Sequence, residues 1–315
     1  MAGVRKPAGP VCAPSRRIHL AAVAAAMLAA IIWSSSFVGV KFLLRYTGPF
    51  TVSGVRFLGA FVVMLPWVIV RFARGKPLAC GTWIRLSVIG VAHYTVGNGI
   101  LYIALETLSP TVGSLALCMA PLPVLLIGMV RLKEKPRSLQ VAGIVLTLIG
   151  SVLFFSHGWE AARPLSLIYV AIAVLGIALG PVVSREVARE RTVDTVLLTA
   201  VPFGVGGGLL MVVAVAAEGI PQLPLAAWGV LFALIVVNTV AAFLLFNRSL
   251  RHLAAFEANV LWNLMPVGTA LIAWGALGEN LTWVQIVAMG LIVVGATVAQ
   301  SRVTARRIRR VLRER

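Results

Sequence analysis

The chain states one pattern twice. Pro121, Glu134, Gln140 and Gly150 recur in the same order as Pro266, Glu279, Gln285 and Gly295, each displaced by about 145 residues with no gap. Leu105, Leu108, Leu126, Ile127, Leu132 and Leu146 have identical partners at that interval, in Leu250, Leu253, Leu271, Ile272, Leu277 and Leu291. Leucine and isoleucine coincidences are common in an apolar chain, so the proline, glutamate, glutamine and glycine matches carry the inference of a duplication. Whatever one half folds into, the other must fold into as well.

A hydrophobic fraction of 60%, a charged fraction of 12% and a mean hydropathy of +0.97 exclude an ordinary soluble domain. Apolar stretches of about 20 residues cross a hydrocarbon core of about 30 Å as helices, which satisfy their own backbone hydrogen bonds. Ten are expected, near 20-44, 50-71, 83-104, 111-131, 138-156, 166-185, 195-217, 226-249, 255-278 and 281-301. The third and eighth are interrupted by His93, Asn98, Asn238 and Asn247. The expected organisation is a tail over 1-19, a five-helix unit over 20-156, a second over 166-301 and a basic tail over 302-315. Ser15-Arg16-Arg17-Ile18-His19-Leu20 loosely resembles an export signal, but the apolar run continues to about Leu44, too long for a cleaved leader.

The formal net charge of +18 is informative through its placement. Arg5, Lys6, Arg16 and Arg17 precede the first span; Arg71, Arg74, Lys76 and Arg85 follow the second; Arg131, Lys133, Lys135 and Arg137 follow the fourth. Arg185, Arg189 and Arg191, then Arg248 and Arg251, then Arg302 and the terminal arginines continue on that side, against Lys41, Arg45 and Arg163 on the other. The positive-inside rule then places both termini in the cytoplasm of an inner-membrane protein. The arginine tail reads as an anchor to an anionic leaflet, and with no aromatic residues among its arginines it does not read as a nucleic-acid site. Cys12, Cys80 and Cys118 have no metal-ligand spacing, so neither metal nor cofactor is expected.

Five spans per copy is an odd number, so the second copy must enter the membrane from the opposite side. Lys133 and Lys135 flank Glu134 on the basic side, whereas Gly278 and Asn280 flank Glu279. Basic residues are retained on one side and absent on the other, as inversion requires. The fold class expected is an all-α integral membrane protein, with ten transmembrane helices as two inverted five-helix repeats.

Trp33-Ser34-Ser35-Ser36-Phe37-Val38, Pro49-Phe50-Thr51 with Arg56-Phe57, and Leu132-Lys133-Glu134-Lys135 resemble the first half of an EamA-type transporter of the drug/metabolite transporter superfamily. Asn247-Arg248-Ser249-Leu250, Leu253-Ala254-Ala255, Asn263-Leu264-Met265-Pro266 and Leu277-Gly278-Glu279-Asn280-Leu281 resemble its second half. The resemblance spans about residues 25-300 and implies an alternating-access carrier for a small organic molecule, with export favoured over uptake.

A carrier of inverted repeats is expected to bind substrate near the midplane, where polar residues pair across the copies. Ser114, Cys118 and Pro121 share one face of an α-helical fourth span, and their partners are Asn259, Asn263 and Pro266. The two prolines free carbonyls for a substrate or merely shape the helices. Tyr94, Asn98 and Tyr102 are four residues apart on the third span, with partners Thr239, Phe243 and Asn247. Trp33 and Trp262 lie away from the interfaces as flat apolar walls, and Ser36 offers a hydroxyl or a close helix contact. Arg56 lies well inside a span, where it must face water, a carboxylate or an anionic substrate group, unless it snorkels. Gly204, Gly206, Gly207 and Gly208 read as close helix packing or a hinge rather than a phosphate loop.

The family often has glutamate before the proline of the ninth span, where this chain has Met265-Pro266. That departure removes the simplest proton-coupling device and leaves His93 and Glu257 as candidates for H+ coupling, or an uncoupled facilitator. Two other classes compete: a membrane-embedded enzyme, which would need a cluster of acids, histidines or metal that the sequence does not offer, and a non-transporting scaffold or receptor.

Overall fold

The computed structural model describes residues 16–74, 77–134, 136–155, 164–190, 193–219, 221, 223–277 and 282–299. Residues 1–15 of the expected N-terminal tail, with Cys12, the C-terminal tail, Lys76, Lys135, Arg163, Arg191 and Gly278-Glu279-Asn280 lie outside them, while residues 16–19 open α1 instead of belonging to a tail.

Ten apolar segments run in the expected order: α1 (Arg16–Leu43), α2 (Pro49–Arg74), α3 (Cys80–Thr107), α4 (Pro110–Arg131), α5 (Ser138–Phe155), α6 (Pro164–Glu190), α7 (Thr195–Ala217), α8 (Leu225–Ser249), α9 (Ala255–Trp262 continued by Met265–Leu277) and α10 (Trp283–Ala299). Among the described residues seven are long and apolar enough to cross a bilayer, while α5 and α10 are shorter apolar helices and α9 is divided. Arg16, Arg17, Lys41, Arg85, Arg185 and Arg189, expected in tails or loops, belong to helix ends.

The spans depart from a uniform α-helix at related places. Gly90–Asn98 in α3 and Leu234–Ala241 in α8 are π-helical, and the repeat interval carries one stretch onto the other. In α4 the helix tightens to a 3₁₀ turn at Leu117–Met119, just before Pro121; α9 breaks after Trp262, just before Pro266. Proline lacks the N–H and crowds the preceding turn, so both helices re-form around it.

Equivalent helices of the two copies pack on each other in opposite directions. Gly54 abuts Leu210 and Met211, Leu58 abuts Gly207, and Phe61 abuts Gly204, so α2 and α7 run antiparallel. Along α5 and α10, Gly143 meets Ala299, Thr147 meets Gly295, and Gly150 meets Ile292, again antiparallel. These contacts are the inverted repeat in three dimensions. They also explain two of the glycines of α7: a side chain on Gly207 would strike the Leu58 backbone and one on Gly204 would press on the Phe61 ring, so the helices approach only because both are absent. Gly206 packs on Gly90 of α3 instead, and Gly208 faces open space rather than a packed helix.

The two ends of the bundle are fastened differently. At the basic end Arg71 pairs with Asp194 at 2.8 Å, Arg131 with Glu186 at 2.5 Å, Arg85 with Glu190 at 2.5 Å and Arg185 with Glu134 at 3.3 Å. At the other end Glu218 accepts from Phe50 N at 2.8 Å and Thr51 N at 2.7 Å, capping α2 with a negative charge. Lys41 Nζ donates to the carbonyls of Leu105, Glu106 and Leu108, closing the C-terminal end of α3.

Candidate functional site

An aromatic floor crosses the middle of the bundle. Trp33 of α1 meets Trp262 of α9 edge to face at 4.9 Å and Phe243 of α8 at 4.7 Å, while Phe246 stacks on Trp262 at 5.0 Å. Such offset and T-shaped pairs suit the ring quadrupoles. Trp33 Nε1 is satisfied by the Asn238 carbonyl at 2.7 Å, so its orientation is fixed. Above this floor, toward the less basic end, lies a cavity lined by Trp33, Ser36, Arg56, His93, Asn98, Tyr102 and Trp262 with apolar neighbours that include Phe37, Leu105, Phe243 and Met265. Its volume of about 50 Å³ is room for a few waters.

Arg56 enters the cavity from α2 about 10 Å along the helix from its start. Its side chain is buried and joins three other spans: Nε donates to Thr239 Oγ1 at 2.7 Å, Nη1 to Ser36 Oγ at 2.7 Å and to Tyr102 Oη at 2.6 Å, and Nη2 to the Asn238 carbonyl at 3.2 Å. The guanidinium also sits 5.5 Å from the Phe57 ring centre, a cation–π contact. Thr239 thus stands behind Arg56 rather than on the cavity wall.

The π turn of α3 changes which residues share a face. Four-residue spacing groups Tyr94 with Asn98 and Tyr102, but a π turn holds more residues than an α turn, and His93 takes the place of Tyr94 beside Asn98. Asn98 Nδ2 closes the turn onto the His93 carbonyl at 2.9 Å. Tyr94 points away into a ring cluster with Phe57 at 4.7 Å and Phe203 at 5.0 Å. His93 Nδ1 lies 2.9 Å from the Ile177 carbonyl of α6.

The paired residues of α4 and α9 do not line the cavity. The 3₁₀ turn rotates Cys118 into a cluster with Phe154, Ala270 and Ile292, and Ser114 bonds back to the Thr111 carbonyl at 2.8 Å. Leu117 and Met265, which offered no polar signal, face the cavity instead, and Pro121 and Pro266 are buried at the helix breaks. Asn263 meets its own repeat equivalent, its Nδ2 lying 3.5 Å from the Cys118 carbonyl, so the pseudo-twofold axis passes between them. Both side-chain polar atoms of Asn259, the side-chain oxygen Oδ1 of Asn263 and Trp262 Nε1 are buried without a hydrogen-bond partner. Glu257 is not on the cavity: Oε1 accepts from Gln140 at 2.7 Å and Oε2 from Ala254 N at 2.9 Å, so it caps the start of α9.

Inverted five-helix units, mated antiparallel around a midplane cavity, define the class of multi-pass membrane transporters built from inverted repeats. The chain belongs to the EamA-like transporter family, whose model matches residues 20–156 and again 164–300. It is similar to the uncharacterized transporter YyaM of Bacillus subtilis, 25% identical over 273 residues, covering 82% of this chain and 87% of that one. It is 26% identical over 266 residues to the uncharacterized inner membrane transporter YedA of Escherichia coli K12, covering 84% and 85%. The S-adenosylmethionine/S-adenosylhomocysteine transporter of Chlamydia trachomatis is 24% identical over 284 residues, covering 85% of each chain. A crystal structure with a TM-score of 0.73 and 20% identity, covering 91% of this chain and 98% of its own, shares the fold.

Proposed function

We propose that this protein is an alternating-access carrier that exports a small organic metabolite across the cytoplasmic membrane, with both termini in the cytoplasm and the cavity between α1, α2, α3, α8 and α9 as its substrate site. The observation that carries this reading is the cavity itself. Polar side chains from α1, α2 and α3 converge there on aromatic walls from α1, α8 and α9, and both inverted copies contribute. The side of the cavity supports a state closed toward the cytoplasm, because the ion pairs Arg131–Glu186 and Arg185–Glu134 fasten the basic end beneath the aromatic floor. Rocking of one half against the other breaks those pairs and carries the site past Trp262. The Chlamydia relative supports an organic metabolite as cargo without fixing which one. Glu257 is held by Gln140 and by the start of α9, which leaves His93, on the cavity wall, as the better placed candidate for H+ coupling.

Flux from reconstituted vesicles, measured over a broad metabolite panel in both directions, tests the reading. Flux of at least one compound, lowered several-fold by Asn98→Ala or Trp262→Ala at unchanged membrane abundance, is expected. A folded protein that moves nothing sinks it and favours a scaffold or receptor.

A further inference from the structure

We propose that Arg56 is the anion-binding group of the cavity and that the cargo is an organic monoanion, a carboxylate on an apolar body; this rests on the carrier reading. The argument begins with the charge left over. A guanidinium keeps its charge in proteins, and a charge buried within a membrane span is costly unless something opposes it. Every acceptor that Arg56 meets is neutral: two hydroxyls from Thr239 and Ser36, the Tyr102 phenol and the Asn238 carbonyl.

No described carboxylate compensates it. Glu134, Glu186, Glu190 and Asp194 pair with arginines at the basic end, Glu218 caps α2, Glu257 caps α9, and Glu106 is exposed. The four bonds engage four of the five N–H groups that a guanidinium carries, so one donor on Nη2 is left over.

A residue acting only as a staple between α1, α2, α3 and α8 would not need a charge, since apolar packing does that without a desolvation penalty. Instead Thr239, Ser36 and Tyr102 hold the fork in one orientation, as a group preorganised to receive a carboxylate is held. The rest of the cavity indicates what is attached. Trp33, Phe37, Phe243 and Trp262 are apolar walls, suited to an aliphatic or aromatic body. Among the described residues no second Lys or Arg lines the cavity, which favours one negative charge over two; Lys41 is occupied by three carbonyls at the far end of α3.

The test uses the full chain, purified in detergent and reconstituted in vesicles. Benzoate, phenylacetate, 3-phenylpropionate and hexanoate are titrated beside the amide of each, reading melting temperature and tryptophan fluorescence. At least one carboxylate is expected to give a saturable response with its amide ten-fold or more weaker, Arg56→Lys retaining part of it and Arg56→Gln none. If Arg56→Gln does not fold, the acid-against-amide contrast in the unaltered protein decides alone. Equal binding of acid and amide, or no response to any of the acids, overturns the inference. The same compounds and a neutral and cationic panel are then followed as flux. Flux of neutral or cationic compounds alone overturns the anion assignment and leaves the carrier reading standing. Binding of a carboxylate with no flux of any compound upholds the anion site and overturns the carrier.

Discussion

His93 and Pro181 are joined through one carbonyl. Pro181 has no N–H, so the carbonyl of Ile177, four residues earlier in α6, loses its helical partner. His93 Nδ1 lies 2.9 Å from that oxygen. A carbonyl only accepts, so Nδ1 carries the hydrogen and the neutral ring keeps its lone pair on Nε2. Gly180 makes room, since a side chain there would overlap the imidazole. The proline of one repeat thereby fixes the tautomer of a cavity histidine in the other.

Pro181→Ala restores an N–H that competes for the Ile177 carbonyl. Removing an interior proline stabilises a helix by up to about 3 kcal/mol, so the variant should melt higher. It should also transport less, because His93 loses the bond that orients it. A higher melting temperature with unchanged flux would show that the ring needs no such support.

His93→Asn keeps an N–H near the Nδ1 position and removes the titrating ring. If protons are carried by His93, substrate flux driven by an imposed pH gradient should fall to the level seen without a gradient, while substrate binding persists within a few fold. The direction follows from the tautomer: a bare Nε2 accepts a proton on one side and releases it on the other, and an amide does neither. Gradient-driven flux equal to that of the unaltered protein would remove His93 from the coupling.

The architecture was legible because lipid imposes it. Apolar runs must be helices, and the interval from Pro121 to Pro266 with the loss of lysines around Glu279 demanded inverted copies. Trp33, Ser36, Arg56, Asn98, Tyr102 and Trp262 stood out as polar or aromatic residues in otherwise aliphatic spans, and all six reach the cavity. What was not legible depends on helix type. Face assignments by four-residue spacing presume α geometry, and the π turn of α3 exchanges Tyr94 for His93, while the 3₁₀ turn of α4 turns Ser114 and Cys118 aside. The five-residue interval from His93 to Asn98 among Gly90, Gly97 and Gly99 was the available clue. Leu117, Ile177 and Met265 are apolar residues among dozens, with no local signal to single them out.

Glu134 holds the basic end in two ways, accepting from Arg185 Nε at 3.3 Å and from Ala255 N at 3.2 Å. Glu134→Gln keeps an acceptor for Ala255 and removes the charge that faces Arg185. Both side chains are largely buried, at 11% and 14% exposure, so the loss should approach but not reach the roughly 3–5 kcal/mol of a fully buried pair. The melting temperature should fall, and thiol reagents should reach a cysteine placed below Trp262 faster than in the parent. Unchanged labelling would mean that this pair does not hold the basic end shut.

Asn259 sits one turn below Trp262 on the basic-end side of the floor, with both side-chain polar atoms unpartnered. A buried amide left without hydrogen bonds costs about 1–3 kcal/mol, and a site that carries such a cost in one state has reason to be wet in another. In the proposed transport cycle, opening of the basic end would let water or substrate reach the underside of Trp262 and satisfy Asn259. Asn259→Leu, of similar shape, should therefore raise the melting temperature, because an apolar group suits the closed packing better. It should lower flux several-fold, because the open state loses its polar wall. Labelling of a cysteine at the basic end should slow in parallel. A variant that melts higher and transports at the parental rate would assign Asn259 to packing alone.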